Sequence, residues 1–274
     1  MSKELNMIPI STINYRFIQC AFLILLTCFS APTLGLSFSP QRIIIAGRQR
    51  SATITLRNTS KKIASYRINM IDFLYQDTGV VRAKQLPPNY PSAKPFIRFS
   101  PRQVRLGPGE SQTVRVLVRG PKLPDGEYRV HAQLQQLPDV SKVRNPIRND
   151  TVAATLGISQ AIALPIILRR GQTQAEGRIG TITIKSGKKA NTTVLDLKLQ
   201  RTGNQSLYTD LVLLAPDGTE VTQVKGIALP VPNAYRRYKL NLPLSLKQLR
   251  SGRYTLELRN REAKGEVLDR QPVR

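Results

Sequence analysis

Tryptophan is absent, histidine occurs once and cysteine twice, and 17 acidic residues stand against 42 Lys and Arg. Both cysteines, Cys20 and Cys28, lie in one short N-terminal stretch, and His131 is alone in the rest of the chain. Zinc sites, Cys–His nucleophiles and dithiol redox pairs need such residues in groups, so the chain lacks the means for them. It also holds no phosphate-binding glycine loop, dinucleotide fingerprint or Gly-x-Ser-x-Gly elbow. The expectation is a protein that is not an enzyme, with no catalytic residue, no metal and no cofactor. His131 falls on the opposite strand parity from Tyr128, Val130 and Ala132, which predicts a solvent-facing side chain.

Long apolar runs are scarce too. The longest is the 13-residue segment 17–29, preceded by Lys3 and Arg16. It is too short to span a bilayer comfortably but has the length of a signal-peptide core. Small residues near Thr33 and Gly35 place cleavage before Leu36, so residues 1–35 read as a signal peptide and the mature protein as secreted through the inner membrane. Leu25-Leu26-Thr27-Cys28 faintly resembles a lipobox, but Thr before the cysteine and Phe after it argue against lipidation. Cleavage removes both cysteines and only one unit of the +25 charge. The mature chain is then expected to have no disulfide and no integral membrane segment, and to be stabilised by its cores alone.

What is present is alternation. Ala52, Ile54 and Leu56 alternate with polar neighbours, as do Ala64, Tyr66, Ile68 and Met70, then Val114, Val116 and Val118, then Tyr128, Val130, Ala132 and Leu134. Turn residues separate the runs, including 58–62 and Asp77-Thr78-Gly79. Period-two patterning with such punctuation predicts half-buried antiparallel strands in a sandwich. After Arg169-Arg170-Gly171 the chain turns polar for about eight residues before alternation resumes, with Ile179, Thr181 and Thr183 set opposite Ile182 and Ile184. We therefore expect an all-β protein in two domains, 36–168 and 169–274.

The longest alternation covers 151–168. Its even positions are Val152, Ala154, Leu156, Ile158, Gln160, Ile162, Leu164, Ile166 and Leu168; most odd positions are small or polar. An 18-residue run would extend about 60 Å at roughly 3.3 Å per residue, more than one small domain needs. Pro165, lacking an N–H, suits a sheet edge. One reading is an edge strand that outruns its domain; the other is two ordinary strands broken near 157–160.

Three stretches carry a resemblance: Ser39-Pro40-Gln41-Arg42-Ile43-Ile44-Ile45, residues 106–116 (LGPGESQTVRV) and residues 123–130 (LPDGEYRV). With the long 151–169 run they make residues 36–170 resemble the periplasmic pilus chaperones of the chaperone-usher pathway. The second half resembles that family mainly in position and β character. The resemblance implies two immunoglobulin-like β-sandwiches in tandem, the first carrying a donor strand lent to pilus or fimbrial subunits that lack their own last strand. It places Val152, Ala154, Leu156, Ile158, Ile162 and Leu164 on that strand, with Leu156 and Ile158 the foremost inserted side chains. It implies delivery to an outer-membrane usher, and self-dimerisation is another way for such an edge to be masked. It also implies a carboxylate anchor at Arg42. The anchor's usual Lys falls on Pro165 here, so either Arg42 works with Arg169 or Arg170, or the carboxylate is held differently. Glu127 and Arg169 match an ion pair that sets the interdomain angle; the acid expected from the second domain is not identifiable, Glu257 and Glu262 being guesses.

The surplus of positive charge admits other partners. Its clusters are short, Lys188-Lys189, Arg236-Arg237 and 259–261, and scattered over outward strand positions. That pattern and an export leader argue against nucleic acid. Steering of an acidic subunit, weak contact with anionic lipid or envelope polymer, and a merely solubilising surface all remain. Two other functional classes stay open: a cell-envelope binding module with this sandwich but no role in pilus assembly, and a polyanion-binding secreted protein.

Overall fold

The structure, a computed structural model, describes residues 35–138 and 160–273. The expected signal peptide and cleavage site, save Gly35, lie outside the described residues, as do Val152, Ala154, Leu156 and Ile158. Among the described residues no helix is long and apolar enough to cross a membrane.

The first sandwich begins with β1 (Leu36–Ser39), β2 (Ile43–Ile45), β3 (Ser51–Asn58), β4 (Ala64–Ile71), β5 (Phe73–Tyr75) and β6 (Val80–Arg82). It is completed by β7 (Ile97–Ser100), β8 (Gln103–Leu106), β9 (Ser111–Val118), β10 (Gly126–Gln136) and β11 (Ala161–Arg170). One sheet has the order β1-β3-β9-β7 and the other β2-β11-β10-β4-β8. Alternation turns one side of each strand inward: Ile54 and Leu56, Tyr66 and Ile68, Val114 and Val116, and Val130, Ala132 and Leu134 all enter one core. Each fully buried Ile or Leu there contributes about 1.5–3 kcal/mol.

The second sandwich consists of β12 (Ala175–Ser186), β13 (Thr193–Gly203), β14 (Leu207–Leu214), β15 (Glu220–Leu229), β16 (Tyr235–Leu242), β17 (Thr255–Asn260) and β18 (Glu266–Pro272). The sheets β12-β13-β16 and β15-β14-β17-β18 enclose a separate core running from Ile179 to Val273. Helix α1 (Leu246–Ser251) plugs it with Leu249, held by a capping box between Ser245 and Gln248. One expectation fails in β12. A bulge between Ile179 and Ile182 inserts an extra residue, so Ile179, Ile182 and Ile184 all pack on the same core instead of alternating across the sheet.

A second correction concerns β10. His131 was expected to face water, yet it is 6% exposed, and Glu127 and Arg129 on the same parity are 3% and 7% exposed. The ribbon of β5 and β6 and the second domain cover that face: Phe73 sets its ring edge-on to the His131 ring at 4.7 Å, and Tyr75 Oη lies 3.1 Å from His131 Nε2. Period two tells which residues share a face, but not whether the outer face is covered.

The described part of the long alternation is β11. It pairs antiparallel with β10 throughout, and Ile166–Leu168 also pair in parallel with Ile43–Ile45 of β2. Residues 161–165 have no paired strand on the side away from β10 among the described residues, and Pro165 marks where that open stretch ends. Leu164, expected on the donor set, is 0% exposed inside its own core beside Ile166 and Leu168. It is a core residue, because by this point the strand is within the sandwich. Ile162 is half-buried.

Candidate functional site

The seam between the sandwiches is built around Glu127. It and Arg169 are cross-strand partners at the ends of β10 and β11, so their side chains share a face. Arg169 Nε donates to Glu127 Oε2 at 3.0 Å, and Arg129, two residues along β10, donates from Nη2 to Glu127 Oε1 at 3.0 Å. The second domain supplies Ser206. Its hydroxyl donates to Glu127 Oε1 and accepts from Arg129 Nη2 at 3.0 Å, while its backbone N–H donates to Glu127 Oε2 at 3.2 Å. Ser206 is presented by a loop that Arg201 gathers, donating to the carbonyls of Gly203, Gln205 and Asn233.

A second acid closes the network from outside. Glu262 reaches Arg169 Nη2 through Oε2 and Arg42 Nη2 through Oε1, each at 3.3 Å. Arg42 also lies over the Tyr208 ring, 3.8 Å from its centroid, a cation–π contact. Of the two candidate acids of the second domain, Glu262 is the one that meets Arg169 and Arg42. Glu257 instead pairs with Arg259 and Arg270 inside its own sheet. At a surface the Glu127–Arg169 pair would contribute little, but Glu127 is buried, and removing one partner of such a pair costs far more.

Electrostatics follow from this packing. Burial pushes the Glu127 carboxyl upward, but Arg129, the Ser206 hydroxyl and Arg169 together hold it below the usual carboxylate range. Burial works against the charge on Arg129, and the electrostatic attraction of the Tyr208 and Tyr75 oxygens together with Glu127 overcomes it, so its pKa is raised. His131 goes the other way: burial, then the adjacent Arg129 charge, lower its pKa to about 3. His131 is therefore a neutral, buried ring, and its Nδ1 has no hydrogen-bond partner among the described residues.

Sequence reasoning found Arg42, Glu127 and Arg169, and the structure brings all three into one cluster with Glu262. It missed Arg129, Ser206, Tyr75 and Tyr208. Arg129 was detectable in principle, as a charge on the same parity as Glu127; Ser206 leaves no local signal, since only the approach of the second domain gives it a role. The cluster contains three arginines and two carboxylates, tied together by hydrogen bonds and ion pairs. Among the described residues no group of three or more His, Cys, Asp or Glu could hold a metal ion.

Fold and seam define a tandem β-sandwich protein whose two halves are tied by a buried ion network. An Fn3-like domain model matches residues 44–147. Among solved structures, the chain is similar to the E. coli chaperone DraB, at 14% identity over 87% of this chain and 95% of that one, TM-score 0.46. It is similar to the SafA pilin–SafB chaperone complex of Salmonella enterica at 14% identity, covering 89% of this chain and 97% of that one, TM-score 0.44. The CsuC–CsuE chaperone–tip adhesion subunit complex of Acinetobacter baumannii is similar at 14% identity, with coverage of 76% and 91% and TM-score 0.41. No curated protein sequence matches the chain.

Proposed function

We propose that the protein is a periplasmic chaperone that binds secreted pilus or fimbrial subunits by strand addition and passes them to an outer-membrane usher. The observation that carries this reading is the edge of β11. Residues 161–165 leave one side unpaired among the described residues, and the sequence immediately before them alternates apolar and small residues for more than a strand's length. An extended edge with alternate apolar side chains is what a guest sheet lacking one strand requires. Val152, Ala154, Leu156 and Ile158 are the residues offered to the guest, with Ile162 at the limit; Leu164 is taken up by its own core.

The seam supports the same reading. Three arginines against two carboxylates leave one positive charge over, and Arg42, the outermost, keeps a side chain 31% exposed. A guest's terminal carboxylate could be gripped there by two parallel guanidinium hydrogen bonds. Arg42 and Arg169 are then the anchor, and the absent Lys at Pro165 is made up by Arg169.

The test is co-expression of the chain with a β-rich secreted subunit, followed by purification and mass measurement. A one-to-one complex is expected with the native chain. Leu156→Glu combined with Ile158→Glu should abolish it while chaperone yield and circular dichroism stay unchanged. Recovery of the complex at native yield from the double variant would end the donor-strand assignment.

A further inference from the structure

On the face of β11 turned away from the seam lies a recess of about 580 Å³, bounded by Gly47, Arg48 and Arg50, by residues 118–123 with Asp125, and by Arg170 at the end of β11. Its walls carry Arg48, Arg50, Arg119, Lys122 and Arg170. Among the described residues none of these five cations takes part in an ion pair. The acid on the wall, Asp125, accepts the backbone N–H of Gln172 at 3.0 Å. Arg170 turns its guanidinium onto the carbonyls of Gly47, Gln49 and its neighbour Arg169. Burial and the like charge of Arg50 both depress its pKa, so the charge there is held without a counter-ion.

The floor is apolar. Phe96, Val118 and Leu123 line it, half-buried and packed against the first core. Gly120 shapes it: at φ +130°, a Cβ at this position would stand 2.8 Å from Phe96 Cδ1, so only glycine lets the loop close down beside that ring. Arg48, Arg50, Arg119 and Lys122 are all exposed, whereas Phe96, Val118 and Leu123 are only partly so.

We infer that this recess binds an acidic peptide segment that seats one apolar side chain between Phe96, Val118 and Leu123 while its carboxylates pair with the arginine rim. The guanidinium fork suits carboxylates, and the volume lies within the range of ordinary ligand sites. A membrane would require the apolar groups to protrude past the cations, and here they are less exposed than the cations. A nucleic-acid strand would require a continuous basic track, and the recess is bounded on three sides. The inference does not depend on how the segment before β11 is used.

The test is fluorescence anisotropy of a labelled, terminally blocked pentapeptide of alternating Glu and Leu, titrated with the full chain at about 0.15 M salt, where distant charges are screened. Saturable one-to-one binding is expected. Arg50→Glu with Arg119→Glu should weaken it by about tenfold or more. Lys188→Glu with Lys189→Glu changes the net charge equally on a hairpin of the second domain, and should change affinity less than about twofold. Replacing the peptide's leucines by glutamine should also weaken binding. Equal loss from both double variants would make the attraction bulk charge and overturn the assignment. So would absence of binding by the native chain, or binding to phosphatidylglycerol vesicles that depends on Arg50 and Arg119 while the peptide does not bind. Circular dichroism of each variant separates lost binding from lost folding.

Discussion

Arg169 and Arg170 are consecutive on β11 and point to opposite sides of it, and the two sides have solved opposite problems. Arg169 enters a seam where Glu127 and Glu262 meet it and Ser206 completes the hydrogen bonding. Arg170 enters a recess where four more cations gather and its guanidinium finds only carbonyls. The same residue type thus serves as a closed structural tie on one face and an open positive site on the other. What separates the two roles is the local supply of acids, which a chain with 17 of them can place at few points.

The comparison predicts unequal responses to charge removal. The largest should come from Glu127→Gln, which strands Arg129 in a buried seam. A loss of about 3–5 kcal/mol is expected in urea denaturation followed by circular dichroism. A loss below about 1 kcal/mol would reduce the seam to the level of a surface ion pair.

The next effect is set by pH. His131 is the single histidine, and its folded pKa of about 3 lies below the unfolded value, so between the two the unfolded chain binds the extra proton. Its contribution is full above about pH 6.5 and falls as the pH drops, by about 1.4 kcal/mol per unit, or about 2 kcal/mol by pH 5. Carboxylates titrate lower, so His131→Gln should flatten this part of the stability–pH curve. An unchanged slope in the variant would mean that His131 is accessible to protons in the folded state.

The smallest effect belongs to the recess. Arg50→Gln relieves Arg170 of a like charge and removes no ion pair, so stability should hold or rise by about 0–0.5 kcal/mol. A marked loss there would show Arg50 to be a structural tie after all, and would erase the contrast between the two faces.

Much of this was legible in the chain because strands write themselves in period two. The inward sets around Ile54, Tyr66, Val114 and Val130 pack on one core as the alternation predicts, with Ala52, Val118 and Tyr128 partly buried at its margin. The same period misread β12, where a one-residue bulge leaves no mark in hydrophobicity, and misjudged His131, whose outer face is covered by a ribbon distant in sequence. Leu164 looked like its neighbours in the 151–168 run because alternation is the same in a strand facing its own core and in one offered to another chain.

Sequence by itself determined that the protein is all-β, and a resemblance in short motifs marked Arg42, Glu127 and Arg169 for attention. The first follows from side-chain parity and the second from short stretches of chain, both of which are local. Tertiary structure alone decided that Glu262, and not Glu257, completes the seam, that Ser206 joins it, and that Arg170 faces a recess with an apolar floor. Those outcomes depend on which distant segments pack together. Burial then converts ordinary charges into strongly coupled ones, an effect that no single stretch of the chain encodes.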